Sequence, residues 1–96
     1  MNSRQRAYLK SLAMTMDPIL QIGKSSLTPE LTEAANEALE ARELIKINVL
    51  KNCVDDARSI GEALAERTRS QVVQVIGKKI VLYRESKTKK KIELPK

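Results

Sequence analysis

Two runs of aliphatic and β-branched residues, Val72-Val73-Gln74-Val75-Ile76 and Ile80-Val81-Leu82-Tyr83, stand only a few residues apart with Gly77-Lys78 between them. A Gly-X pair between two such runs predicts a two-residue type II′ hairpin, and so an antiparallel pair of strands. A lone hairpin is marginal in water, so the rest of the chain has to extend the sheet and cover it.

The upstream sequence supplies both. Residues 3–14 read as a helix with Tyr8, Leu9, Leu12 and Ala13 on one apolar stripe, ended before Asp17-Pro18 by the restriction proline places on its predecessor. Ile19-Leu20-Gln21-Ile22 reads as a short buried strand, and Gly23-Lys24-Ser25-Ser26 as a loop. Thr28-Pro29 is a helix start, with Thr28 at the N-cap and Pro29 at the first helical position. The helix over 29–42 buries Leu31, Ala35, Ala38 and Leu39, while Glu30, Glu33, Glu37 and Glu40 form a solvated face. In 44–50, Ile45, Ile47 and Val49 alternate with Lys46 and Asn48 as in a strand. A third helix starts at Asp55 or Asp56, carries Ala57, Ile60 and Leu64 inward with Gly61 allowing close packing, and ends near Arg69.

The expected fold class is α/β: a small mixed four-stranded sheet with three helices, in the order α-β-α-β-α-β-β. The two β-α-β passages predict parallel neighbours. One domain spans 1–96, with 85–96 a basic C-terminal extension and the lysines at 87–91 a mobile tail.

The 96 residues include no histidine, tryptophan or phenylalanine, two tyrosines (Tyr8 and Tyr83) and one cysteine, Cys53. That excludes an intrachain disulfide, a Cys/His zinc site and any histidine-based triad. No cofactor, metal or small-molecule substrate is expected, and the chain reads as a non-enzyme. Cys53 reads as a small core hydrophobe. The first six residues lack a secretory signal, and no apolar run nears the ~20 residues of a membrane span. A cytoplasmic location without membrane contact follows.

The net charge of +6 is unevenly placed: residues 1–24 carry +3, 25–66 carry −5 and 67–96 carry +8. Basic ends suit a polyanion. Gly23, Lys24, Ser25 and Ser26 leave a strand and enter a helix, where backbone N–H groups and the helix dipole favour phosphate. The same tetrapeptide also fits a plain tight turn with a solvated lysine, which is the reading it favours when taken alone. The spacing of a nucleotide P-loop is absent. Arg4, Arg6 and Lys10 form a second basic element or an ordinary polar helix side. Lys78 and Lys79 at the hairpin tip either contact an anion or keep a sheet edge soluble. Both tyrosines are expected in the core, so a polyanion would be held by its backbone with little base stacking.

Several blocks together resemble a known family. These are Tyr8-Leu9-Lys10-Ser11-Leu12-Ala13, Pro18-Ile19-Leu20-Gln21-Ile22-Gly23-Lys24, Leu27-Thr28 and Glu43-Leu44-Ile45-Lys46-Ile47, followed by Val75 through Arg84 and Ile92-Glu93-Leu94-Pro95. In this order they resemble the CRM domain (chloroplast RNA splicing and ribosome maturation) in its bacterial single-domain YhbY-type form. The resemblance implies a fold similar to the C-terminal domain of translation initiation factor three, and RNA as partner. For bacterial members it implies ribosomal RNA in precursors of the large subunit; plant relatives act in intron splicing. The family's RNA-contacting G-x-x-G loop falls on Gly23, Lys24, Ser25 and Ser26, and its basic first helix on Arg4, Arg6 and Lys10. Ser26 departs from the pattern, which has glycine there. If that position needs a positive φ, serine bears a backbone cost, and its hydroxyl becomes a candidate donor to phosphate. The competing expectation is a protein-interaction adaptor that docks on ribosomal proteins without specific RNA recognition.

Overall fold

The computed structural model describes residues 1–96. The elements are α1 (Ser3–Ala13), β1 (Leu20–Ile22), α2 (Pro29–Arg42), β2 (Leu44–Val49), α3 (Ala57–Thr68), β3 (Gln71–Ile76) and β4 (Lys79–Tyr83). Their order is the one the sequence predicts. Each helix start has a side-chain cap. The Asn2 side chain accepts from the Gln5 N–H while Gln5 returns the bond, Thr28 accepts from the Leu31 N–H, and Asp56 accepts from the Ser59 N–H. The hairpin tip is also as predicted: Ile76 pairs with Lys79, and Gly77 alone takes a positive φ, 54°, as a II′ turn requires.

The four strands form one sheet in the order β1-β2-β4-β3. β1 and β2 are parallel neighbours, but β2 and β3 are not, because β4 lies between them and is antiparallel to both. This corrects the expectation of two parallel neighbour pairs. The reason lies in the side chains. Ile80, Val81, Leu82 and Tyr83 are all buried, so β4 is apolar on both faces and belongs in the middle; β3 exposes Gln71 and Ile76 and suits an edge.

Burial on both faces requires two covering layers. Ile45, Ile47, Val49, Ile80 and Leu82 point to α2 and α3, meeting Ala35, Leu39, Ile60 and Leu64. Gly61 allows this approach, since a Cβ there would lie 3.2 Å from a methyl of Ile80. Leu44, Val81 and Tyr83 point the other way, to Leu9 and Ala13 of α1 and to Ile92 and Leu94 of the C-terminal segment. Cys53 is half-buried against the first of these clusters.

Candidate nucleic-acid interface

After β1 the chain turns through Gly23–Ser26, closed by the Ser26 N–H donating to the Gly23 carbonyl at 2.9 Å. Lys24 and Ser25 form the exposed corner, and their N–H groups find no protein acceptor. Gly23 has ordinary space around it and no positive φ; the strained residue is Ser26, at φ 55°. The left-handed region costs a residue with a Cβ about 1 kcal/mol. The turn bond opposes that cost, and so does the Ser26 hydroxyl, which donates to Asp55 Oδ2 at 2.6 Å. The hydroxyl expected to meet a phosphate is therefore already bonded, and to a carboxylate that would repel the anion. The start of α2 is also poorly suited. Thr28 Oγ1 takes the Leu31 N–H, Pro29 has none, and Glu30 sits in the first turn. What this corner offers an anion is the two free N–H groups and the ammonium of Lys24.

The fold brings further lysines to the same end of the sheet. The Leu50 N–H donates to Ile22 O at 2.8 Å and the Val49 N–H to Lys78 O at 2.7 Å, so the Gly23 loop, the turn after β2 and the hairpin tip stand side by side. Two strand spacings, about 10 Å, separate the loop from the tip. Lys24, Lys51 and Lys78 are exposed there, and Lys79 Nζ donates to Asn48 Oδ1 at 2.9 Å. None of these lysines is in an ion pair. Lys51 was not singled out by the sequence; only the strand register places it here.

The three bases of the first helix separate. Lys10 turns to the loop end, where it lines a groove of about 420 Å³ with Lys46, Lys79, Met14, Gln74 and Ile76. Lys46 reaches this groove because its register opposite Val81 puts it on the α1 face of the sheet. Met14 and Ile76 are exposed apolar groups on its rim. Arg6 faces the other end. β3 carries a bulge between Val72 and Gln74, and Arg6 Nη1 donates to the Val72 and Val73 carbonyls at 2.7 and 2.9 Å. Arg4 Nη1 donates to Lys96 O at 3.3 Å, farther still from the loop. Tyr83 is buried as expected, but Tyr8 is exposed. Leu9 and Ala13, one turn apart, are the contact line of α1, and Tyr8 lies off it.

The expected mobile tail is a strap tied to α2. Glu40, assigned to a solvated face by the sequence, accepts through Oε2 from the hydroxyls of Ser86 and Thr88 at 2.8 Å and from the N–H groups of Lys87 and Thr88. Its other oxygen pairs with Arg84 at 3.5 Å. Arg84 also donates to the Thr68 and Asn36 carbonyls, clipping α2 and α3 together. Glu43, fully buried, accepts from the N–H groups of Ser86, Lys91 and Ile92, each at 2.7 Å. The short hydroxyl bonds from Ser86 and Thr88 hold the Glu40 carboxyl at about 2, down from 4.5. Burial pushes Glu43 up, but its three backbone donors outweigh burial and hold it below the usual value. For a depressed carboxyl, the stabilisation is complete above the unfolded value and is lost as pH falls through the folded one. Wild-type Tm should therefore fall as pH drops from about 4.5 to about 2. Amides 86–92 should lose hydrogen-exchange protection first, and Glu40→Gln should flatten the pH dependence.

Comparison with known proteins agrees with this architecture. The CRS1 / YhbY (CRM) domain matches residues 1–84. A Bacillus subtilis (strain 168) protein named "Probable RNA-binding protein YqeI" is 48% identical over 95 residues, covering 99% of both chains. A Haemophilus influenzae protein named "RNA-binding protein" is 33% identical, over 100% of this chain and 96% of its own. The solution structure of the Staphylococcus aureus protein SAV1595 superposes with a TM-score of 0.83 at 50% identity, covering 99% of each chain. No helix is long and apolar enough to cross a membrane.

Proposed function

The chain belongs to the CRS1/YhbY (CRM) domain family, and on that premise we propose that it binds RNA and acts in assembly of the large ribosomal subunit. The observation that carries the RNA reading is the set of unpaired lysines at the loop end of the sheet: Lys24, Lys51 and Lys78, with Lys10, Lys46 and Lys79 along the adjoining groove. Ribosomal RNA as the target rests on the family resemblance. In this reading Lys24 and the N–H groups of Lys24 and Ser25 hold a phosphate, Gly23 and Ser26 shape the turn, and Lys10, Lys78 and Lys79 track the backbone on either side. Arg6 supports the site by holding β3 beneath α1, and Arg4 adds charge at a distance. With neither tyrosine beside the loop, recognition runs through phosphates and leaves sequence preference to RNA shape.

Salt titration with structured ribosomal RNA fragments tests this. Lys24→Ala should weaken binding to every fragment and lower the salt slope by about one unit. Unchanged affinity and slope would remove the loop from the interface. Stable binding to purified ribosomal proteins, with only weak and fragment-blind RNA binding, would favour the adaptor reading.

A further inference from the structure

The end of α3 remote from the loop carries a second group of bases. A polar groove of about 790 Å³ lies between the latter half of α2, the end of α3 and the strap. Arg67, Arg69, Lys87 and Lys89 line it; all four are exposed, and none is in an ion pair. Of the acids nearby, Glu40 is saturated by Arg84 and the strap, and Glu85 pairs with Lys90 at 3.5 Å, which leaves Glu37. The uncompensated charge is therefore strongly positive.

Two backbone features fix these bases in place. Arg69 ends α3 in the left-handed conformation, φ 58° and ψ 37°, where glycine is the unstrained residue. The chain bears that strain and keeps a guanidinium at the groove. On the strap, Glu40 takes the N–H of Lys87 and Ser86 Oγ takes that of Lys89, so both lysines project from a held backbone. Arg67 also lines a shallow channel that continues along α3 past Ala63 and Ser59 to Ser25 and Ser26. Those α3 positions are four apart and share one face. Asp55 at the loop end of this channel, bonded to Ser26 but still charged, keeps phosphates away from that stretch, so the contacts fall at the channel's two ends.

We propose that this groove is a second contact for the RNA held at the loop, with Arg67, Arg69, Lys87 and Lys89 as phosphate ligands, so that the RNA spans the length of α3. The inference rests on the RNA-binding reading above. Twelve helical residues cover about 18 Å. At a rise of about 3.4 Å per stacked nucleotide, that distance is about five nucleotides. An RNA much shorter than this reaches one end only.

The test titrates a labelled RNA hairpin of about 24 nucleotides, and separately an oligo(U) of about three, into wild type and variants over a salt series. Arg69→Gly should weaken hairpin binding by about three- to tenfold and lower the salt slope by about one unit. The same variant should raise Tm by about 4–8 °C through relief of the left-handed strain, so the two readouts move in opposite senses. Arg67→Ala with Lys87→Ala should lower the hairpin's slope by about two, and that of the short oligonucleotide, which occupies one end at a time, by less. Hairpin affinity and slope unaltered in both variants, with Lys24→Ala lowering both, would overturn the second contact and leave the loop site standing. Absence of salt-dependent binding by wild type to either RNA would overturn this inference together with the reading it rests on.

Discussion

Glu43→Ala is expected to destabilise the protein by about 3–5 kcal/mol, because it leaves three strap N–H groups without their acceptor at about 1–3 kcal/mol for each donor left buried. The carboxylate is fully buried and is the acceptor for three backbone N–H groups on the strap. Alanine would leave those donors facing a void, each losing a charge-assisted bond. The damage should spread from there. Ile92 and Leu94 cover the second core cluster, which includes Val81 and Tyr83, only while the strap is in place. Thermal unfolding should show a fall in Tm of about 12 °C or more. Hydrogen exchange at residues 84–96 should rise towards that of an unfolded chain. Glu43→Gln should fall between the two, since its amide oxygen can accept while its NH₂ meets donors head-on. A Glu43→Ala protein as stable as wild type would show that the strap is dispensable to the core.

Arg6→Ala is expected to cost about 2 kcal/mol, because the Val72 and Val73 carbonyls beside the bulge lose their charged donor. Arg6→Lys should recover part of this, because both bonds come from the one nitrogen Nη1 and an ammonium placed there has a donor for each oxygen. At a temperature where the variant is folded, its RNA salt slope should match that of wild type. A slope lowered by one unit with Tm unchanged would move Arg6 from the scaffold to the interface.

Much of the fold was legible because local signals agreed with the tertiary arrangement. Thr28-Pro29, Asp56 and Gly77 mark ends and turns through chemistry within a few residues of themselves. The position of β4 was less accessible, since adjacency in sequence favours β2 beside β3. The clue was present in the unbroken run Ile80–Tyr83, too apolar for an edge. Glu40 and Glu43 were opaque for a different reason. Their partners lie more than 40 residues away; Glu40 sits on a helix among other glutamates and so reads as solvent-facing, and Glu43, just past the helix end, has no local signal of burial. At the proposed site, Lys24, Lys78 and Lys79 could be found from the loop and the hairpin tip, whereas Lys46 and Lys51 required the register. Arg6 and Lys10, one helical turn apart, looked equivalent in sequence; the bulge in β3 separates a scaffold guanidinium from a free ammonium.

The placement of β4 also governs when the molecule can fold. Until residue 83 is available, β2 and β3 have no strand between them, and the largest sheet the chain can make is the short parallel pair β1–β2. Pairs that close over long loops form slowly, and half-made sheets expose sticky edges. At about 5–20 residues per second the ribosome passes from β2 to β4 within seconds, so little time passes with the edges bare. Folding of the sheet thereby waits until synthesis has passed residue 83. A chain cut short before Lys79 would lack both the central strand and the strap that covers it.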